Sequence, residues 1–317
     1  MGTYIVKRAI HSLPLLVMVI VFSFFVIHIM PGDPIRTLLG DQAPAEQVAR
    51  MTKNLGLDQP LVIQFIAWLK HLLHCNFGTS ISLGAPVFPL ILNRIEPTFI
   101  LGILGTLISV MVGIPLGILS TRHHGKLADN LLALPVLISI SVPAFWTAIL
   151  MIQLLAVKIH LFPVAGYHTI AKYGFLKALY DLLLPGLILG IMYCGQIARM
   201  TKVSTLEIMS QNYLRTARAA GISERKVIYY YALKNSLPSI IVVIGYSFAS
   251  MLAGAVVIEQ IFNIPGLGNL TITSILNRDY PVIQATLIFI TVIFIMINML
   301  TDILCVYVNP KIKQDIE

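Results

Sequence analysis

Long apolar runs separated by short charged segments form the main pattern along the chain. Six windows lack Asp, Glu, Lys and Arg, are rich in Leu, Ile, Val and Phe, and contain 24, 25, 28, 17, 24 and 22 residues. They lie between Arg8 and Asp33, Glu96 and Arg122, Asp129 and Lys158, Asp181 and Arg199, Lys234 and Glu259, and Asp279 and Asp302. Because a helix needs about 20 apolar residues to cross a bilayer, the pattern predicts six membrane-spanning helices.

Two further uncharged windows carry the residues of loops. Residues 71–93 and 260–277 contain several Asn, Gly and Pro residues each. Irregular backbone does not face lipid, because its N–H and C=O groups would have no partners there. We therefore predict loops in both windows, with room for partly re-entrant segments.

The first apolar run needs to be distinguished from a signal peptide. Lys7 and Arg8 precede it, as basic residues precede a signal sequence, but it is about 22 residues long and contains Pro14. It ends in Met30-Pro31-Gly32-Asp33-Pro34, without a small-x-small cleavage site. We expect a retained helix.

Composition agrees with an integral membrane protein. Of the 317 residues, 57% are hydrophobic and 11% are charged, against about 25% charged in ordinary globular proteins. The mean hydropathy is +0.86. These values exclude a soluble globular protein and a disordered chain. The three dispersed cysteines, Cys75, Cys194 and Cys305, predict no disulfide framework.

Lys and Arg distribution predicts the orientation. With the N-terminus inside, the inner segments 1–8, 120–129, 199–236 and 309–317 hold 13 Lys and Arg in 65 residues, and the outer segments 30–95, 158–181 and 260–281 hold 9 in 112. Cytoplasmic loops are the basic ones, so both termini are predicted to be cytoplasmic. The net charge of +8 then marks the inner membrane face, and we expect no nucleic-acid partner.

The outer segment 30–95 contains two amphipathic patterns. Val48, Met51 and Leu55 precede Gly56, and a second apolar stripe runs through residues 62–73. Both predict short helices on the outer surface. They fit either a lid over the outer mouth or a docking surface that covers the ends of the spans.

The inner loop 199–236 carries seven basic and two acidic residues. An apolar stripe predicts a helix over residues 203–220, which Gly221 would end in the left-handed conformation. Ser223 can cap a second helix with Glu224 in its first turn. This basic helix–Gly–helix segment fits either a cytoplasmic protein partner or the surface of an anionic membrane.

Two runs in this loop carry a family resemblance. Tyr213-Leu-Arg-Thr-Ala-Arg-Ala-Ala-Gly-Ile-Ser-Glu-Arg-Lys-Val227 and Ala232-Leu-Lys-Asn-Ser-Leu-Pro238 resemble the loop of binding-protein-dependent ABC importer permeases of type I. In that family a Glu-Ala-Ala-x-x-x-Gly element forms the coupling helix that binds the ATPase subunit. Aligned on Gly221, its Glu position is Arg215 and its Ala positions are Thr216 and Ala217, so the acidic contact is not carried over.

Other runs resemble the dipeptide, oligopeptide and nickel branch of that family, in the same order along nearly the whole chain. They are Met30–Pro34, Leu55–Pro60, Asn76–Ser80, Val142–Trp146, Glu259–Gly268, Arg278–Gln284 and Asn309-Pro310. The resemblance implies an all-α membrane protein with six transmembrane helices, N-in and C-in, as one permease domain over residues 1–317. It implies the bacterial cytoplasmic membrane as the location.

The resemblance also implies function and partners. The chain would be the transmembrane pore subunit of an ATP-driven importer, with a second homologous permease, two cytoplasmic ABC ATPases, an extracytoplasmic substrate-binding protein and membrane lipid as partners. It has no Gly-x-x-x-x-Gly-Lys-Ser/Thr phosphate loop, so ATP and Mg would bind the ATPases, and this chain would be no enzyme and hold no cofactor. The expected ATPase-coupling residues are Arg215, Thr216, Ala217, Arg218, Gly221, Glu224, Arg225 and Lys226.

The substrate is open at this point. Di- and oligopeptides are the leading expectation, and nickel or a metal chelate is the alternative within the family. His71, His74 and Cys75 form a weak metal-site candidate, because an i, i+3 His pair can share a metal but no neighbouring carboxylate would orient it. A secondary transporter driven by an ion gradient is the alternative from another class, although the spans lack paired buried acids and a visible inverted repeat.

Overall fold

The computed structural model describes residues 2–29, 43–54 and 58–309. The run at 30–34, the residues Leu55 and Gly56, and the C-terminal Lys311 and Lys313 lie outside the described residues. All regular secondary structure in the described ranges is helical, and one isolated bridge joins Thr79 and Pro86.

The described residues contain thirteen α-helices. They are α1 (Gly2–Ile29), α2 (Ala45–Asn54), α3 (Leu61–Leu73), α4 (Val87–Arg122), α5 (Leu127–Ser141), α6 (Ala144–Met151), α7 (Ile170–Tyr173), α8 (Phe175–Met209), α9 (Asn212–Ala219), α10 (Glu224–Lys226), α11 (Leu233–Ile261), α12 (Leu267–Leu276) and α13 (Tyr280–Val308). Two wider π-helical turns, Ile152–Lys158 and Val227–Ala232, continue α6 and α10.

Five stretches are long and apolar enough to cross a membrane. They are Val6–Phe25, Val87–Arg122, Phe175–Met209, Glu224–Ile261 and Tyr280–Val308. The chain bends by 103° between the helical stretches Leu127–Ser141 and Ala144–Lys158. If these two stretches form one broken span, the number of crossings is six. The prediction of an all-α membrane protein is confirmed.

The third predicted span is not one straight helix. The uncharged window 130–157 is broken at Val142, which has φ −85° and ψ 129°. A residue that precedes proline is displaced from the helical region by the proline ring, and Pro143 is the next residue. Prolines 115, 135 and 185 lie inside continuous helices. A proline in the sequence is therefore not enough to predict where a helix breaks.

Two compact units make up the chain: Met1–Glu96 with Asn269–Ile295, and Pro97–Gly268 with Met296–Glu317. The first unit contains a buried carboxylate, Asp279, which accepts hydrogen bonds from the hydroxyls of Ser80 (2.5 Å) and Ser82 (2.7 Å) and from the amides of Ile81 and Ser82. These contacts fix the turn that follows α3. A single permease domain over 1–317 stays a prediction.

In the second unit, α4 and α8 approach closely along their glycines. A Cβ at Gly113 would lie 2.7 Å from the carbonyl oxygen of Cys194, and a Cβ at Gly117 would lie 2.5 Å from that of Ala198. Small residues allow membrane helices to pack at short distance. The same unit contains an apolar core that includes Leu182, Ile188 and Ile258.

The predicted loops and surface helices agree with the structure in part. Helices α2 and α3 form where the two amphipathic patterns predict helices, and irregular backbone occupies residues 74–86. Their place on the outer surface stays a prediction. The prediction of an irregular chain over 260–277 was wrong, since α12 forms there. Its buried residues Leu267, Leu270 and Ser274 have helical spacing. The Asn and Gly residues around them favoured the prediction of a loop instead.

Candidate functional site

The candidate site is a basic hairpin, residues 210–232, between the end of α8 and the start of α11. It contains α9, a turn at Gly221, α10 and the wider turn Val227–Ala232. All of it belongs to the second compact unit.

The single helix predicted over 203–220 is in fact two helices. Helix α8 ends at Met209, Gln211 is extended with ψ 148°, and α9 begins at Asn212. The Ser210 hydroxyl donates to the backbone oxygen of Glu207. Polar side chains such as serine offer the backbone such local partners in place of the helical ones, so Ser210-Gln211-Asn212 ends the long helix and redirects the chain.

Gly221 ends α9 as the sequence predicts. Its φ is +79°, in the left-handed region that favours glycine. The Gly221 amide donates to the oxygen of Arg218 at 2.9 Å, and the Ile222 amide donates to that of Ala217 at 3.2 Å. This pair of bonds defines the Schellman motif, which satisfies the last carbonyls of the helix.

An ion pair spans the turn. Arg218 Nε donates to Glu224 Oε2 at 3.1 Å and Arg218 Nη2 to Glu224 Oε1 at 3.0 Å. The Glu224 carboxylate raises the pKa of the Arg218 guanidinium above its ordinary value through these bonds. Arg218 Nη1 also donates to the backbone oxygen of Met209, so one guanidinium ties the end of α8 to both arms of the hairpin.

The second arm starts where the sequence predicts. Ser223 is the residue before α10, and Glu224 lies in its first turn. The expected capping bond is not formed, since the Ser223 side chain makes no hydrogen bond to the helix. Glu224 is held by Arg218 instead, and its charge still lies at the helix start, where a carboxylate is favourable.

A small apolar core holds the two arms together. Leu214, Val227 and Ala232 are fully buried, and partly buried neighbours that include Ala217 and Ile222 pack against them. The Asn235 amide reaches from α11 to the Tyr213 hydroxyl at 3.2 Å. The hairpin is therefore a folded unit rather than an open loop.

The predicted site residues separate into two groups. Arg215, Thr216, Arg225 and Lys226 are exposed on the surface. Ala217, Arg218, Gly221 and Glu224 make the contacts that shape the hairpin. The first group is available to a partner, and the second fixes where the first group lies.

One contact near the hairpin escapes prediction from the sequence. Lys202 Nζ on α8 donates to Asp129 Oδ1 on α5 at 2.6 Å, and the Ser120 hydroxyl donates to the same oxygen at 2.5 Å. Asp129 is 6% exposed. Lys202 and Asp129 are 73 positions apart, and a pairing over that distance leaves no periodic signal in one sequence.

The candidate metal residues do not form a site. No group of three His, Cys, Asp or Glu side chains in ranges 2–29, 43–54 and 58–309 could hold a metal ion. His74 Nδ1 instead bonds the backbone oxygen of Lys70 at 2.8 Å. Cys75 follows the helix with a φ of 55°, and its side chain is exposed.

Two family models match the chain. One, described as "Binding-protein-dependent transport system inner membrane component", matches residues 113–314. The other, its N-terminal counterpart, matches residues 1–101. The first contains the basic hairpin.

Full-length relatives are transport permeases by their names. The probable peptide ABC transporter permease protein y4tP of Sinorhizobium fredii is 38% identical, with 99% of this chain and all of the relative covered. The glutathione transport system permease protein GsiC of Salmonella typhimurium is 36% identical, with 99% of each chain covered.

A solved structure shares the fold. A chain of the MetNI methionine ABC transporter, in an inward-facing conformation, superimposes with a TM-score of 0.57 at 18% identity. The superposition covers 69% of this chain and 96% of the other. At this identity the likeness concerns the fold alone.

Proposed function

Because the chain belongs to the family of binding-protein-dependent transport system inner membrane components, we propose that it is the pore subunit of an ATP-driven importer of di- and oligopeptides. Its relatives from Sinorhizobium and Salmonella carry peptide and glutathione transport in their names. Glutathione is itself a tripeptide, so both names point to one chemical class of substrate.

The importer would contain a second homologous permease, two cytoplasmic ATPases and an extracytoplasmic binding protein. This chain has no phosphate loop in its sequence, so ATP and Mg would be held by the ATPases. The substrate would be selected by the binding protein, because the six apolar windows contain no Asp, Glu, Lys or Arg that could bind it tightly.

The observation that carries the proposal is the basic hairpin. It is folded around its own apolar core and presents Arg215, Thr216, Arg225 and Lys226 on its surface. A rigid cationic projection of this kind can transmit a movement of a partner to the helices at its two ends. Helix α8 enters it and α11 leaves it, so displacement of the hairpin would move two predicted spans together.

Each candidate residue has a role in this proposal. Arg215, Thr216, Arg225 and Lys226 would contact the ATPase, with acidic groups as the expected partners of the three cations. Arg218, Glu224 and Gly221 would hold the hairpin in shape, and Ala217 would pack in its core. Because the cations of this chain would make the contact with the ATPase, the acidic residue that the family motif has at the position of Arg215 would not be needed.

Uptake by a reconstituted complex tests the proposal. The permease would be placed in proteoliposomes, with ATP inside, together with the homologous permease, the ATPases and the binding protein of the proposed importer. We expect ATP-dependent accumulation of labelled di- or tripeptides and none of ⁶³Ni²⁺. Accumulation of nickel alone would reverse the substrate assignment, and peptide uptake driven by an ion gradient without ATP would contradict the transporter class.

A further inference from the structure

A groove lies between α4, α5 and α8 at the end of these helices that carries basic residues. Its volume is about 350 Å³. The walls are apolar side chains, among them Leu116, Leu132, Val136, Leu137 and Ile140. From Leu132 to Ile140 the groove follows α5 for about 12 Å, at 1.5 Å per residue.

The basic end of the groove is lined by Arg199 and Lys202. The Lys202 ammonium is fixed by Asp129 at 2.6 Å, and its side chain is 25% exposed. An ammonium has three N–H donors, so it can serve Asp129 and a second acceptor. Arg199 is exposed, and no ion pair or hydrogen bond of its guanidinium is found within ranges 2–29, 43–54 and 58–309.

The surroundings of this end are positively charged. Arg122 and Lys126 are exposed in the short connection between α4 and α5. With Arg199 and Lys202 they make four permanent cations against the one carboxylate of Asp129. An anion is therefore the complementary ligand at this end.

The exposed surface of α5 beside the groove is apolar. Leu131, Leu134 and Ile138 on α5 are between 53% and 66% exposed. This surface belongs to an uncharged stretch of a predicted span, so it meets hydrocarbon in the membrane. A free phosphate would fill the basic end and leave the apolar walls without a partner.

We propose that the groove binds one anionic phospholipid. The phosphate would contact Arg199 and Lys202, and an acyl chain would lie along Leu132, Val136 and Ile140. The site joins α5 to α8 just before the basic hairpin, and it is separate from the surface formed by residues 212–226. The bound lipid would hold the inner end of the bent α5–α6 pair against α8.

Native mass spectrometry of the full-length permease, with the subunits that copurify, tests the site. After delipidation the sample is titrated with phosphatidylglycerol or with phosphatidylcholine of the same acyl chains. We expect tighter binding of the first bound phosphatidylglycerol. Arg199→Gln should weaken it about fivefold, the effect of one cation near an anionic lipid surface, and should weaken phosphatidylcholine less, because the choline cation offsets the charge of its phosphate. Lys172→Gln, an equal charge loss elsewhere, is the control.

A second variant distinguishes lipid binding in the groove from general attraction of lipid to a basic surface. Ala133 is half-buried in the groove wall, and Ala133→Phe should fill the cavity and weaken both lipids. If this variant is not stable in detergent, Leu137→Gln, at a 58% exposed position, replaces it. Equal affinity for the two lipids, or full phosphatidylglycerol binding by Arg199→Gln, overturns the proposal. A disulfide between Leu137→Cys and a cysteine of a neighbouring subunit in the native membrane also overturns it, because a protein would then cover the groove.

Discussion

Arg218 and Glu224 face each other across the Gly221 turn and form a two-point ion pair, with N–O distances of 3.1 and 3.0 Å. Parallel N–H···O bonds of this kind fix geometry as well as charge. The side chains are 34% and 54% exposed, so water screens the attraction. The pair therefore sets the angle between the two arms more than it stabilises the fold.

The first prediction concerns this ion pair. Arg218→Gln and Glu224→Gln should each cost at most about 1 kcal/mol of stability, as for other exposed ion pairs. Because the arms then lose their fixed angle, we expect reduced coupling of ATP hydrolysis to peptide uptake in proteoliposomes. The measured quantity is ATP consumed per peptide transported, which should rise in both variants.

The charge-reversed double variant is the control. Arg218→Glu with Glu224→Arg restores an ion pair and should recover part of the coupling that either single reversal loses. The recovery should shrink at high salt. Strictly additive losses in the double variant would show that the two residues act separately.

The second prediction concerns Gly221. A side chain with a Cβ in the left-handed region costs about 1–2 kcal/mol, and among the described residues no atom other than those of its chain neighbours lies within 4 Å of the Cβ position. Gly221→Val should therefore act through backbone strain alone, with normal membrane abundance and weakened ATPase assembly or uncoupled hydrolysis. Gly84→Val is the control, because Gly84 also has a positive φ (+63°) with free space around its Cβ position and lies in the predicted outer segment, so coupling should be unchanged. Full uptake by Gly221→Val would contradict the role of the hairpin.

The third prediction concerns the contact of α4 with α8. A Cβ at Gly117 meets the Ala198 carbonyl and Thr201, so the two helices must move apart in Gly117→Ala. We expect a loss of about 1–3 kcal/mol, as for overpacked cores, seen as a lower unfolding temperature in detergent. Gly102→Ala meets only the movable side chains of Leu252 and Phe248, at 3.3 Å, and should unfold near the wild-type temperature.

The fourth prediction concerns Asp279. Its carboxylate accepts four hydrogen bonds from residues 80–82 and is fully buried. Asp279→Asn replaces an acceptor oxygen by a donor, which leaves at least one buried group unpaired at a cost of about 1–3 kcal/mol. Amide hydrogen exchange of residues 80–83 should accelerate roughly 10- to 100-fold. The control is Asn277→Ala, at an exposed position, which should leave the exchange of residues 80–83 unchanged. If Asp279→Asn also left this exchange unchanged, Asp279 would not be what fixes the turn.

Hydrophobic patterning predicts the spans well because membrane insertion depends on local composition. The breaks inside helices are harder to predict. Pro143 lies at the break between α5 and α6, whereas Pro115 and Pro185 lie within the continuous helices α4 and α8. Neighbouring helices can satisfy the backbone groups that a proline frees, and which neighbours are present is a property of the fold.

The same contrast holds for the candidate site. The left-handed Gly221 and the acidic start of α10 are local features, and the sequence predicts both. The hydrogen bonds of Arg218 to Met209 and Glu224 depend on the packing of Leu214 against Val227 and Ala232. That packing joins two arms of a hairpin, and helical periodicity within either arm does not reveal it.

Crosslinking from the hairpin surface shows whether the basic hairpin contacts the ATPase subunit. Cys75, Cys194 and Cys305 are replaced by serine, and a single cysteine is placed at position 226 or at position 172, both exposed. A short thiol-to-amine crosslinker is then added to the assembled transporter in native membranes. We expect position 226 to be crosslinked to the ATPase subunit and position 172, on the predicted outer side, to remain free of it. Crosslinking of the ATPase from position 172, with none from 226, would contradict both the orientation and the coupling role of the hairpin.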